Sequence, residues 1–283
     1  MSRVRIFADA ACDLDAPVLQ QYGITCLHMP VTIGEHTYRD RLDLSPTEFY
    51  EILAKSDVMP VTAQITPMEF IEAFMPVIEQ SDDEIIYIGF SSGLSNTFQS
   101  SELAAAELAP DRITVIDSLS ASVGYALIVL KAAQMADDGA TRAEIVDVVN
   151  DYVRRIQHLF IVGNFDMLKR GGRVGSTTAA VGNLLNIKLI LHFVDGKIVP
   201  LEKVRGLKKA KKRMLEIMGE RAADDLKDQL IGVNHAYDLA GAEEIQRLVR
   251  ERFGCEKFII SEIGLAIGSH VGAGTYSVFF LGK

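Results

Sequence analysis

Four short apolar runs in the first 120 residues, VRIFADA, ITCLHMPVTI, EIIYIGF and ITVIDS, alternate with helical patterns around 45–55, 67–80 and 95–109. Runs that are apolar throughout, rather than at every second position, suit strands buried on both faces. The helices between them supply the crossovers that parallel strands need. This alternation predicts βαβ units and a parallel sheet. RAEIVDVVNDYVRRIQ (142–157) then places Ile145, Val148, Val149, Tyr152 and Ile156 on one helical face and closes a first domain. Beyond it the pattern changes. KLILHFVDGKIVPLEK carries Asp195-Gly196 between two apolar runs, a hairpin signal. DQLIGVNHAY, KFIISEIG and TYSVFFLG read as further strands, with helices near 206–219 and 239–253. The expected fold is α/β: a parallel-sheet domain over 1–157, then a smaller α+β domain with antiparallel strands over 158–283.

Several function classes are disfavoured. A formal net charge of −9 argues against general nucleic-acid binding, which needs a basic field. The start, MSRVRIFADA, enters a strand-like run without a signal-peptide apolar region. The most apolar window, ASVGYALIVLKAAQMA (121–136), contains Lys131, is short for a membrane span, and reads as a buried helix. Cys12, Cys26 and Cys255 are widely spaced without C-x-x-C, and the six histidines form no H-x-x-x-H pair. A disulfide framework and a metal site are therefore not expected, and a reducing cytoplasm is.

Three strands of the first half end in small or polar residues: Asp9-Ala10-Ala11, Ser91-Ser92-Gly93 and Asp117-Ser118. Ligands of parallel α/β sheets bind outside the carboxyl ends of the strands, where these clusters would gather. Gly89-Phe90-Ser91-Ser92-Gly93 also satisfies G-x-S-x-G, the nucleophile elbow of serine hydrolases, and Ser91, Asp117 or Asp195, and His270 follow the order Ser…Asp…His. An elbow, however, passes directly from its serine into a helix. Here Ser92-Gly93-Leu94-Ser95-Asn96-Thr97 intervene, Ser95 is the better N-cap, and no HGGG-type segment precedes. A loop of hydroxyls opening a helix instead suits a phosphate or carboxylate. Two more polar patches accompany it: Thr62 and Gln64 in VTAQITP, where Thr66-Pro67 reads as a helix start, and His270 between glycines in IGSHVGAG. An esterase using Ser91 and His270, and a small-anion or phosphotransfer protein with His270 as the phosphorylated group, are the alternatives to a carrier.

ADAACDL, Thr62-Ala63-Gln64, FSSGLSNTFQSS, VIDSLSASVG, FDMLKRGGRVG, VGNLLNIKLIL and HVGAG together resemble the DegV family, in order and along nearly the whole chain. The resemblance implies a two-domain α/β protein that holds a long-chain fatty acid such as hexadecanoate in a buried tunnel, without a further cofactor. It also implies a carrier without catalysis of its own, presenting the carboxylate to a separate ATP-dependent fatty acid kinase and carrying the acyl phosphate. Such a carrier needs no membrane span, while its lipid leaves room for transient contact with a membrane surface. By resemblance Thr62 and Ser95 are the main carboxylate ligands, Ser91, Ser92 and His270 share the same polar end, and Arg173 and Arg205 lie near the opening. The family's T-S-Q-P reads Thr62-Ala63-Gln64-Ile65 here, and its HTGPG reads His270-Val271-Gly272-Ala273-Gly274. These departures bear on chain-length preference and partner. About fourteen methylenes at roughly 0.8 kcal/mol each would set affinity, and the hydroxyls would orient the head. Finally, KVRGLKKAKKRM gathers seven basic residues; Lys208, Lys211 and Lys212 fall on one helical face, and Lys208 and Lys212 are expected to dock the kinase.

Overall fold

A computed structural model of the chain describes residues 3–56, 58–174 and 186–283; Gly175 and 181–185 of the motifs above lie outside them. In chain order the elements are β1 (Val4–Asp9), α1 (Ala16–Gln21), β2 (Thr25–Leu27), β3 (Pro30–Ile33), β4 (His36–Arg39), α2 (Pro46–Lys55), β5 (Val61–Thr62), α3 (Pro67–Gln80), β6 (Glu84–Gly89) and α4 (Thr97–Leu108). Next come β7 (Ile113–Asp117), α5 (Ser122–Asp137), α6 (Arg142–Arg155), β8 (Ile156–Ile161), α7 (Phe165–Arg170), β9 (Ile187–Val194) and β10 (Lys197–Arg205). The chain continues through α8 (Leu207–Arg221), β11 (Leu230–His235), α9 (Leu239–Phe253), β12 (Lys257–Glu262), α10 (Leu265–Val271) and β13 (Tyr276–Leu281).

The parallel sheet runs β2-β1-β6-β7. The middle of its central strand β6 is apolar because both faces are covered there: Ile85, Ile86, Tyr87 and Ile88 are all fully buried. Capping boxes start two helices of this half, α2 and α3. Ser45 with Glu48 and Thr66 with Glu69 close reciprocal bonds, each with Pro at the first turn. ITCLHMPVTI, however, is not one strand. The chain leaves the parallel sheet after Leu27, and β3 joins a separate three-stranded antiparallel sheet, β4-β3-β5. Pro30, which has no N–H to donate, opens that new strand.

A six-stranded sheet, β10-β9-β8-β13-β11-β12, organises the second half. Residue 157, the division expected from the sequence, is the second residue of β8 in this sheet. The amphipathic helix ends at Arg155, and Ile156 is paired with Leu281 as a strand residue. Ladder bonds to β13 thus override the helical spacing that included Ile156. All pairings are antiparallel except β11–β12, which is parallel with α9 as its crossover. The hairpin turn between β9 and β10 places Asp195 and Gly196 at positive φ, 48° and 74°, as a tight hairpin turn of this type requires.

The two faces of this sheet differ in role. Phe160, Leu191, Ile198 and Phe279 share a core with the parallel sheet, whereas Leu159, Ile161, Val233 and Phe280 pack under α8 and α9. Lys211 on α8 turns inward, pairing with Glu244 at 2.8 Å over the Tyr276 ring, while Lys208 and Lys212 remain exposed. The basic run is therefore split between core and solvent, not held on one face. Among the described residues no helix is long and apolar enough to cross a membrane, and no three His, Cys, Asp or Glu gather as a metal set.

Candidate ligand-binding site

A cavity of about 240 Å³ lies between the inner face of the six-stranded sheet, α10 and the loop entering α4. Its size falls just below the ~300 Å³ at which small-molecule pockets usually begin. Phe90, Leu94, Phe160, Phe193, Ile198 and Phe279 make much of its wall apolar.

Helix α10 is fixed by the first half of the chain. Its N-terminal amides need acceptors, and Gly264 offers no side chain to supply one. Two buried carboxylates fill that role: Asp13 accepts from the Gly264 N–H at 2.7 Å, and Asp40 accepts from Leu265 at 2.7 Å and Ala266 at 2.9 Å. A Cβ on Gly264 would stand 2.7 Å from Asp40 Oδ1, so the close approach requires glycine. Burial raises the pKa of Asp13 to about 6 and that of Asp40 above the usual carboxylate range, opposed by Arg41 and the amide bonds. Anchored at that end, α10 carries His270 in its last turn.

His270 Nε2 lies 3.1 Å from Thr62 Oγ1 on β5. Its Nδ1 is buried without a partner and faces the turn after α7, where a Cβ on Gly171 would approach it to 2.2 Å. Burial first, and then the positive Arg173, lower the His270 pKa to about 4, so the ring is neutral near pH 7. Arg173 is held by the carbonyls of Leu94, at 3.2 Å from Nε, and Gly171, at 2.6 Å from Nη1. Ser95 sits across the same end. Its Oγ accepts from Thr97 N–H at 3.2 Å and lies 3.0 Å from Thr97 Oγ1. If Thr97 donates to Ser95, and His270 Nε2–H donates to Thr62, both ligand-side hydroxyls are free to donate into the cavity. In that arrangement two hydroxyl donors, a neutral imidazole and a fixed guanidinium suit an anion.

Thr62, Ser95, Arg173 and His270 all line the cavity, but Ser91 and Ser92 do not. Ser91 is fully buried: its Oγ donates to the Gly196 carbonyl at 2.7 Å and accepts from Gly93 N–H at 3.2 Å, joining the loop to the hairpin turn. Ser92 uses its backbone N–H, bonded to the Asp117 carboxylate at 3.2 Å. Asp117 also accepts from Leu119 N–H, so it caps a turn and orients no histidine. No hydrogen bond links Ser91 to His270, and the serine–histidine pairing that an esterase needs is not formed. Helix α4 is one to two residues shorter at its start than the sequence suggests: Asn96 occupies the N-cap position, and Ser95 bonds the first helical N–H from one residue further out. Arg205 ends β10 exposed and outside the cavity lining. Lys208 and Lys212 belong to α8, on the opposite face of the sheet.

The cavity also takes residues that the sequence reading passes over: Asn96, Ser122, His158, Asn234 and Ser277. A signal for two of them existed. Asn234 and Ser277 occupy core-facing positions of apolar strands, where a polar residue is unexpected. His158 is buried against Phe193 at 4.3 Å, and burial lowers its pKa to about 3.

Comparison with known proteins gives consistent matches. A family model described as "Uncharacterised protein, DegV family" matches residues 3–283. A DegV domain-containing protein of Clostridium perfringens is 37% identical, covering 100% of this chain and 98% of the relative. The crystal structure of DegV from Bacillus subtilis, described as a fatty acid binding protein, is similar with TM-score 0.90 and 30% identity, covering 100% of both chains. A DegV family protein from Thermus thermophilus, described by its fatty acid binding, matches with TM-score 0.89 and 29% identity over 99% of this chain and 100% of that one.

Proposed function

The chain belongs to the DegV family, and from that premise we propose that it binds a long-chain fatty acid with the carboxylate at Thr62 and Ser95 and the acyl chain in the apolar cavity. The observation that carries this reading is the joining of one anion-binding end to an otherwise largely apolar cavity. Thr62 and Ser95 donate to the carboxylate, His270 orients the Thr62 hydroxyl, and Arg173 supplies a positive field. Similarity to structures described as fatty acid binding supports the ligand class. Ser91 and Ser92 support the loop rather than touch the head group.

We further propose that the protein is a carrier without catalysis of its own. It presents the carboxylate to a separate ATP-dependent kinase and then holds the acyl phosphate. The anion site suits that role, since the same donors serve either head group. Native mass spectrometry of the purified protein tests the first step: an added mass matching a C16 or C18 acid is expected, and a protein that neither retains nor takes up such an acid overturns the reading. Phosphorylation of the bound acid by a fatty acid kinase and ATP tests the second.

A further inference from the structure

Two of the buried side-chain atoms without a hydrogen-bond partner lie on residues that line the cavity: His270 Nδ1 and Asn234 Oδ1. The first belongs to the head-group site. Asn234 belongs to a second polar patch on the cavity wall, formed with Ser122 and Ser277.

The orientation of the Asn234 amide follows from its partners. Ser122 Oγ donates to the Asp13 carboxylate, so its remaining capacity is as an acceptor, and Asn234 Nδ2 donates to it. The amide nitrogen is thereby fixed toward Ser122, and the carbonyl oxygen is left over. Asn234 is 1% exposed, so bulk water does not satisfy that oxygen. Directly opposite on β13 stands Ser277, which lines the cavity and makes no side-chain hydrogen bond among the described residues. A lone acceptor beside a free hydroxyl matches one ligand group in particular: a hydroxyl, which donates once and accepts up to twice.

Its place along the ligand follows from α10. The Asp13 network meets this helix at Gly264, and His270 lies six residues on, which is about 9 Å at 1.5 Å per residue. Asn234 joins the far end of this helix only through Ser122 and Asp13, and an extended chain, advancing about 3.5 Å per three bonds, covers a separation of that order in roughly seven or eight carbons. Resting on the fatty-acid reading above, we infer that the cavity has a mid-chain oxygen subsite, formed by Asn234 and Ser277, that favours fatty acids hydroxylated near the middle of the chain.

The test compares octadecanoic acid, 10-hydroxyoctadecanoic acid and 18-hydroxyoctadecanoic acid in displacement titrations against a fluorescent fatty acid. The 10-hydroxy acid is expected to bind about tenfold more tightly than the other two. Ser277→Ala, which leaves the Asn234–Ser122–Asp13 chain intact, should reduce that preference, and Asn234→Leu should abolish it in protein whose melting temperature shows that it is folded. Equal or weaker binding of the 10-hydroxy acid by the unaltered protein overturns the inference and assigns the patch to an ordered water. A preference that survives in both variants also overturns it. Binding of none of the three acids overturns the fatty-acid reading itself, and this inference with it.

Discussion

Thr62→Val separates the head-group contact from every other contribution to binding. The substitution keeps the β-branched shape that suits β5 and removes one hydroxyl, whose oxygen lies 3.1 Å from His270 Nε2. A hydrogen bond to a charged acceptor contributes about 1.5–3 kcal/mol, so affinity for a long-chain acid should fall about 10- to 150-fold. The acyl chain keeps its burial, at roughly 0.8 kcal/mol per methylene. The variant should therefore retain measurable binding, comparable to that of the unaltered protein for an acid shorter by about two to four carbons. Isothermal titration with hexadecanoic acid and hexadecanol gives the decisive comparison. In the unaltered protein the acid should be favoured over the alcohol, and in Thr62→Val that preference should narrow by the share of one donor while Ser95 and Arg173 keep the rest. Unchanged acid affinity in folded Thr62→Val would place the carboxylate elsewhere and refute the head-group assignment.

Other outcomes follow from the same geometry. Ser91→Ala should lower stability by about 1–3 kcal/mol, since it leaves the Gly196 carbonyl unpaired in the core, and the native protein should resist a serine-directed fluorophosphonate; stoichiometric labelling at Ser91 would revive the esterase reading. His270 is neutral above its folded pKa of about 4, so fatty-acid affinity should stay flat from about pH 8 to about pH 5.5; a binding midpoint near 6.5, the ordinary histidine value, would show a charged ring in the site. The sign for stability follows as well: because this pKa is depressed, the His270 contribution is present above about 6.5 and is lost as pH falls toward 4, which a urea midpoint series on unaltered protein and His270→Gln would detect. Lys208→Glu combined with Lys212→Glu should leave lipid affinity unchanged, because α8 covers the other face of the sheet, but should slow kinase coupling at low ionic strength; an unchanged rate would make these lysines a solvated helix face.

The sequence by itself determined what depends on neighbours in the chain. Continuous apolar runs announce β1, β6 and β7; Thr66-Pro67 announces a helix start; Asp195-Gly196 announces the hairpin. Each is a local preference of backbone and side chain, legible within a few residues. The motifs also pointed to Thr62, Ser95, Arg173 and His270, from four separate segments, all of which line one cavity. Only the tertiary structure decided what each polar group does there, because hydrogen-bond partners come from distant segments. Ser91 and Ser95 are alike in sequence, yet a hairpin carbonyl 105 residues away takes the first hydroxyl, while the second reaches the cavity. Lys211 resembles its neighbours until Glu244 and Tyr276 draw it inward. Asn234 reads as one polar residue in an apolar strand, and its unpaired oxygen arises only because Ser122 and Asp13 use the other half of its amide. Local preference fixes the elements, but the pairing of buried polar groups is settled only when every donor and acceptor has been brought within reach.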